Sequence, residues 1–190
     1  MFETNRLILR PFQENDINFM LDLWNEPEVQ RGTTADYLVP RSKKFKEKLR
    51  EWTQSVPQVD NALFYVIITL KETGEFMGNL TINVSNHKNR DGTLGITLSR
   101  KFWGRGYGQE ALLFTLDHAF KSLALHRVSL GVFESNVGAV KLYTKVGFKE
   151  EGRIRKGVWI EGAWEDVILM GILEEEWRSD IQHLRADATS

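Results

Sequence analysis

Cysteine is absent from this chain. Its absence excludes a disulfide framework, a thiolate metal site and any acyl-transfer route through a cysteine nucleophile. Long apolar runs are missing too: Glu3, Arg6, Arg10, Glu14 and Asp16 break the first stretch where a signal peptide would need an apolar centre, and no later segment reaches the roughly eighteen residues of a membrane span. A soluble, cytoplasmic protein without a membrane partner is expected. An excess of either charge is also lacking. Lys plus Arg number 25 against 26 Asp plus Glu, which offers a polyanion little to hold and argues against nucleic acid as a partner. The histidines, His87, His118, His126 and His183, are scattered without ligand spacing, so no metal is expected.

What is present is enough for one sizeable core: 190 residues, 42% of them hydrophobic. With no linker, internal repeat or low-complexity segment, residues 1–190 read as a single domain whose polar tail begins at about 182. RLILRPF (6–12) reads as a strand. ENDINFMLDLWNE (14–26) and PRSKKFKEKLREWTQS (40–55) carry apolar residues at helical spacing, Ile17, Met20, Leu21 and Trp24 in the first and Phe45, Leu49 and Trp52 in the second. EPEVQRGTTADYL between them is a loop or a broken helix. ALFYVIITL (62–70), FMGNLTINV (76–84) and TLGITLS (93–99), separated by turn-forming stretches, predict an antiparallel meander.

After the meander comes FWGRGYGQE, with Gly104, Gly106 and Gly108 on alternate positions. Then QEALLFTLDHAFKSL (109–123) predicts a helix and HRVSLGVF (126–133) a strand parallel to the one before the glycines. NVGAVKLYTKVGF (136–148) predicts a short helix closed by Gly147. RIRKGVWI and AWEDVILMGI read as a final strand pair, followed by a short helix in EEEWRSDIQHLRADATS. Consecutive N–H groups around glycines at a helix start form a positive concavity that suits a phosphate. A glycine-rich turn without a ligand fits the same run. Gly-Lys-Ser/Thr is absent, and a dinucleotide fingerprint matches only partially through Ala111 and follows the wrong strand order.

The combination of TLGITLS, FWGRGYGQEAL, Asn136, Tyr143 and KVGF resembles the GNAT N-acetyltransferase superfamily and, within it, the RimJ/RimL-like branch, which is also similar to spermidine acetyltransferases. The likeness runs from TNRLILRPF to DVILMGIL. It implies an α/β (α+β) fold: a mostly antiparallel twisted sheet of six to seven strands flanked by helices, whose central parallel pair splays to hold acetyl-CoA. Ile96, Thr97 and Leu98 would face the pantetheine arm. Gly104, Arg105, Gly106, Tyr107, Gly108 and Gln109 would form the diphosphate loop, with Trp103 where relatives often carry Gln or Arg. Asn136 matches the asparagine that bonds pantetheine, and is equally a helix N-cap. Tyr143 matches the acid that protonates the CoA thiolate; taken alone it reads as a core aromatic beside Val137, Val140 and Val146.

The implied activity is acetyl transfer from acetyl-CoA, as co-substrate, to a primary amine of a small molecule or peptide by direct attack in a ternary complex. A backbone N–H at a strand bulge near Leu98 would steady the oxyanion. Some relatives place a carboxylate base in the strand after the helix, where this chain has Gly131. Glu134 is the candidate base, with Glu110 and a water chain as others. The loss of that carboxylate also motivates an alternative, a non-catalytic acyl-CoA-binding module of the same fold. WNEPEVQRG and WIEGAWED would wall the acceptor groove and bring Glu26, Glu28, Glu161, Glu165 and Asp166 near it. A monomer or a homodimer is expected.

Overall fold

A computed structural model describes residues 1–33, 38–55 and 62–177. In chain order the elements are β1 (Phe2–Glu3), β2 (Leu7–Arg10), α1 (Asp16–Leu23), α2 (Pro27–Thr33), α3 (Lys43–Ser55), β3 (Ala62–Leu70), β4 (Phe76–Asn86) and β5 (Asp91–Leu98). They continue with α4 (Tyr107–Lys121), β6 (Arg127–Phe133), α5 (Val137–Lys145), β7 (Lys149–Ile160) and β8 (Ala163–Leu173). The strands form one eight-stranded sheet in the order β1-β2-β3-β4-β5-β6-β8-β7. That is one strand more than the sequence suggests, because β1 is too short to show a period; it is held by pairing Phe2 with Leu9 and Glu3 with Ile8.

Both faces of the sheet are covered, which explains why β3 reads as an unbroken apolar run rather than an alternating one. Phe64, Val66 and Ile68 point into the larger core with Leu112, Leu116, Ala119 and Phe120 of α4. Ile67, between them, joins Ile17 and Met20 of α1 and Leu49 of α3, as the two-residue period of a strand requires. The turn of helix at 174–177 ends the described chain, with buried Trp177 against Phe120 at 6.3 Å between ring centroids. The remainder of the expected tail, His183 included, lies outside the described residues.

Every neighbouring pair of strands is antiparallel except β5 and β6, which α4 connects as a crossover. Their ladder is short. It pairs Asp91, Gly92 and Thr93 with Arg127, Val128 and Ser129 and then stops, although β5 runs on to Leu98 and β6 to Phe133. The expected bulge at Leu98 is not what opens this gap: the register of β5 on β4 is continuous from Gly78↔Leu98 to Asn83↔Thr93. The two strands simply part. On the other side β4 presses close, since a Cβ on Gly78 would stand 1.9 Å from the Thr97 carbonyl oxygen, so β5 follows β4 and leaves β6.

Candidate active site

A cavity of about 470 Å³ occupies the gap. Ile96, Thr97 and Leu98 line it from β5, Gly131 and Val132 from β6. The glycine loop, α5 and α2 complete it, so residues far apart in sequence meet where the ladder has ended.

The loop adopts a conformation that its glycines permit. Gly104 has φ +70° and Gly106, the N-cap of α4, has φ +80°, left-handed values that a Cβ makes costly by roughly 1–2 kcal/mol. Gly108 serves another purpose: it sits inside α4, and a Cβ there would come 3.1 Å from Leu142 Cδ2 of α5, so its bareness lets the two helices close. Among the described residues, no acceptor meets the N–H groups of residues 104 to 109. Residues 104–106 are exposed and 107–109 half-buried, and this run of unpaired amides sits at the positive end of a fifteen-residue helix, where an anion is favoured. Gly104, Gly106, Gly108 and Gln109 line the cavity; Arg105 and Tyr107 do not. Trp103 lines it too and donates its indole N–H to the Leu98 carbonyl at 2.7 Å.

Opposite the loop, α5 is fixed at both ends. Asn136 Oδ1 accepts from the Ala139 N–H at 3.2 Å, an N-cap, while its Nδ2 reaches the Gly32 carbonyl of α2 at 3.4 Å. At the other end the Phe148 N–H bonds the Tyr143 carbonyl and the Gly147 N–H bonds that of Thr144, with Gly147 at φ +105°. That pair of bonds is a Schellman closure. Tyr143 is buried yet lines the cavity, its hydroxyl has no hydrogen-bond partner among the described residues, and burial pushes its pKa up to about 12. The phenol is therefore neutral at any physiological pH. Cap and cavity wall are compatible roles for Asn136, and core aromatic and cavity wall for Tyr143.

The carboxylates separate clearly. Glu134 does not line the cavity; its Oε1 pairs with Arg153 at 3.1 Å. Glu110 is turned away as well. It accepts from Thr4 Oγ1 at 2.6 Å, from the Arg6 amide at 2.6 Å and from Arg6 Nε at 2.7 Å. Burial pushes its pKa up, but those bonds outweigh burial and hold the carboxyl below its ordinary range. Of the five acids expected at the acceptor groove, Glu28 alone lines the cavity, where it pairs with Arg100. Glu26 accepts from the Arg100 amide at 2.8 Å, Glu165 from that of Ser135 at 3.2 Å and Asp166 from that of Lys156 at 2.9 Å. Glu161 pairs with Arg31 at 2.6 Å, joining the β7–β8 turn to α2. Among the described residues no cluster of His, Asp and Glu is arranged to hold a metal.

Sequence reasoning missed part of the wall. Thr33 of α2 and Gly138, Lys141 and Lys145 of α5 were not expected there, whereas Val29 and Gly32 belong to the WNEPEVQRG stretch that was. Gly138 carried a readable signal: glycine inside a helix costs up to about 1 kcal/mol against alanine, and nothing stands within 4 Å of where its Cβ would be, so it keeps space open.

Comparison with known proteins agrees with this geometry. The sequence profile of the acetyltransferase (GNAT) domain matches residues 6–149. The chain belongs to the GNAT acetyltransferases. An uncharacterized N-acetyltransferase, p20, of Bacillus licheniformis is 27% identical over 176 residues, 92% of this chain and 96% of that protein. The spermidine N(1)-acetyltransferase of Vibrio cholerae is 25% identical over 173 residues, 91% of this chain and 96% of its own. The crystal structure of a spermidine N-acetyltransferase from Vibrio cholerae with CoA and spermine superposes with a TM-score of 0.81 at 24% identity, covering 92% of this chain and 99% of that one. The fold of this GNAT enzyme is thus the one anticipated, and its class is acetyl-CoA-dependent N-acetyltransferase.

Proposed function

We propose that this acetyltransferase transfers acetyl from acetyl-CoA to a primary amine by direct attack in a ternary complex. One observation carries the reading: Gly104, Gly106, Gly108 and Gln109, with their unpaired amides, and the neutral phenol of Tyr143 border one cavity between parted strands. In this proposal the amides hold the diphosphate and Lys141 and Lys145 add positive charge along one side of α5. Ile96, Thr97 and Leu98 face the pantetheine arm, with Asn136 across from them. The arm brings the thioester toward Tyr143.

The amine nitrogen attacks the carbonyl carbon, the carbon–sulfur bond breaks and the pair of electrons leaves on sulfur. A main-chain N–H of β5 near Leu98 steadies the carbonyl oxygen. Tyr143 donates a hydrogen bond to the departing sulfur. Transfer from a phenol at about 12 to a thiolate of reference pKa about 8.5 is uphill by roughly 5 kcal/mol, so it is completed only as the proton released by the amine returns to Tyr143 through water. Glu134, paired with Arg153, reaches the amine only through water, and we assign the amine's proton to water at the acceptor mouth.

The acceptor we propose is a small cationic amine, with polyamines foremost. Support comes from the spermidine acetyltransferases among its relatives and from Glu28 at the acceptor wall. The test is release of free CoA thiol from acetyl-CoA with spermidine, N-terminal peptides, free amino acids and aminoglycosides side by side. Release with spermidine above the others supports the assignment; release with peptides alone moves the acceptor to a protein N-terminus. Binding of CoA without release with any amine would favour the non-catalytic module.

A further inference from the structure

We infer that Arg6, from the N-terminal segment, is a positioning residue that selects the orientation of the peptide between Arg105 and Gly106 and so aims the Gly106 N–H at the cavity. The inference rests on the reading of residues 104 to 109 as a diphosphate loop. Arg6 stands behind that loop, not in the cavity. Its Nη1 donates to the Arg105 carbonyl at 3.0 Å, its Nε to Glu110 at 2.7 Å, and its guanidinium lies 4.4 Å from the centre of the Tyr107 ring. The main-chain N–H of Arg6 and the hydroxyl of Thr4 fasten the same carboxylate, each at 2.6 Å. The loop, at Arg105 and Tyr107, and the first turn of α4, at Glu110, are gripped from one side.

In a trans peptide the C=O and the following N–H point in opposite directions. Holding the Arg105 oxygen at the back therefore turns the Gly106 N–H to the front, and Gly106 lines the cavity. Without that grip the choice is poorly determined. Glycine tolerates both signs of φ, so the 105–106 peptide can rotate at little cost and present its oxygen to the ligand instead. An oxygen facing a diphosphate repels it. Gly106 also makes room for the grip, since a Cβ there would lie 3.3 Å from Arg6 Nη2.

The experiment compares wild type with Arg6→Met and Arg6→Lys, titrating each with CoA and with pantetheine, which lacks the diphosphate, and recording each melting temperature. Lysine keeps the charge but cannot serve the Arg105 carbonyl and Glu110 together, so it tests orientation apart from charge and gives a second protein if Arg6→Met folds poorly. The loss of one charge-assisted hydrogen bond predicts CoA binding about tenfold weaker in both variants, with pantetheine binding within about twofold of wild type. Equal losses for both ligands, or none for either, would overturn the inference. A wild-type protein that binds no CoA would instead sink the loop assignment itself.

Discussion

Tyr143 and Phe148 are joined twice: their rings meet edge to face with centroids 5.8 Å apart, and the Phe148 N–H bonds the Tyr143 carbonyl at 3.0 Å. The helix closure and the ring contact fix the backbone and the plane of Tyr143 together. The hydroxyl takes no part in either.

Tyr143→Phe should therefore keep the fold and lose the proton donor. We expect kcat to fall about a hundredfold, the lower end for a positioned general acid. The melting temperature should stay within about 2 °C, as for a change of well under 1 kcal/mol. The donor KM should change little. Steady-state kinetics with the best acceptor and a thermal melt decide it; an unaltered kcat removes Tyr143 from the reaction.

The pH profile follows from the same residue. A group pushed up to about 12 loses its proton as pH rises through that value, so no descending limb from Tyr143 should appear below about pH 10. The ascending limb should track the acceptor, rising toward about 10.4 for a lysine-like amine and levelling near 8 for an α-amine. Glu134→Gln should lower kcat/KM by less than about threefold at pH 7, since general-base roles are worth about a hundredfold or more. A larger fall would restore Glu134 as the base.

Asn136 separates two roles by substitution. Asn136→Ala removes the cap on α5 and should cost about 1 kcal/mol, whereas Asn136→Ser keeps an oxygen able to cap. If the amide also holds the pantetheine arm, serine recovers the melting temperature but not the donor affinity. Full recovery of both would make the cap its whole contribution.

Glu110 predicts a pH-dependent stability. Its folded pKa is depressed, so its contribution is complete above the unfolded value of about 4.3 and disappears as pH falls through the folded one. Glu110→Gln should be less stable than wild type in urea at pH 7, and the difference should shrink as pH falls below the ordinary carboxylate range and through the depressed folded value. A constant difference across that range would contradict the assignment.

The elements that carry their own local signal were readable in the sequence. Gly104 and Gly106 announce left-handed backbone, Gly147 a helix end, and the Asn136 to Phe148 spacing a capped and closed helix. Gly108 looked like one of the same set but acts through packing on Leu142, which no local pattern reveals. The parting of β5 and β6 was anticipated from family likeness and its cause misread, because a missing ladder depends on what both strands pair with elsewhere. Position in the chain also misled: Glu134 lies two residues from Asn136, yet Arg153, nineteen positions on, draws it aside. Likewise Glu110 opens α4 like a dipole-complementing acid, and only the folded chain brings Thr4 and Arg6 to it.

The short seam at Asp91–Thr93 and Arg127–Ser129 makes the sheet two plates, five strands and three, that share little main-chain bonding. A cosubstrate lodged where they diverge touches both and acts as mortar. Occupancy should then bind the plates into one cooperative unit, delaying amide exchange along the free margins of β5 and β6 and raising the melting temperature with cosubstrate concentration.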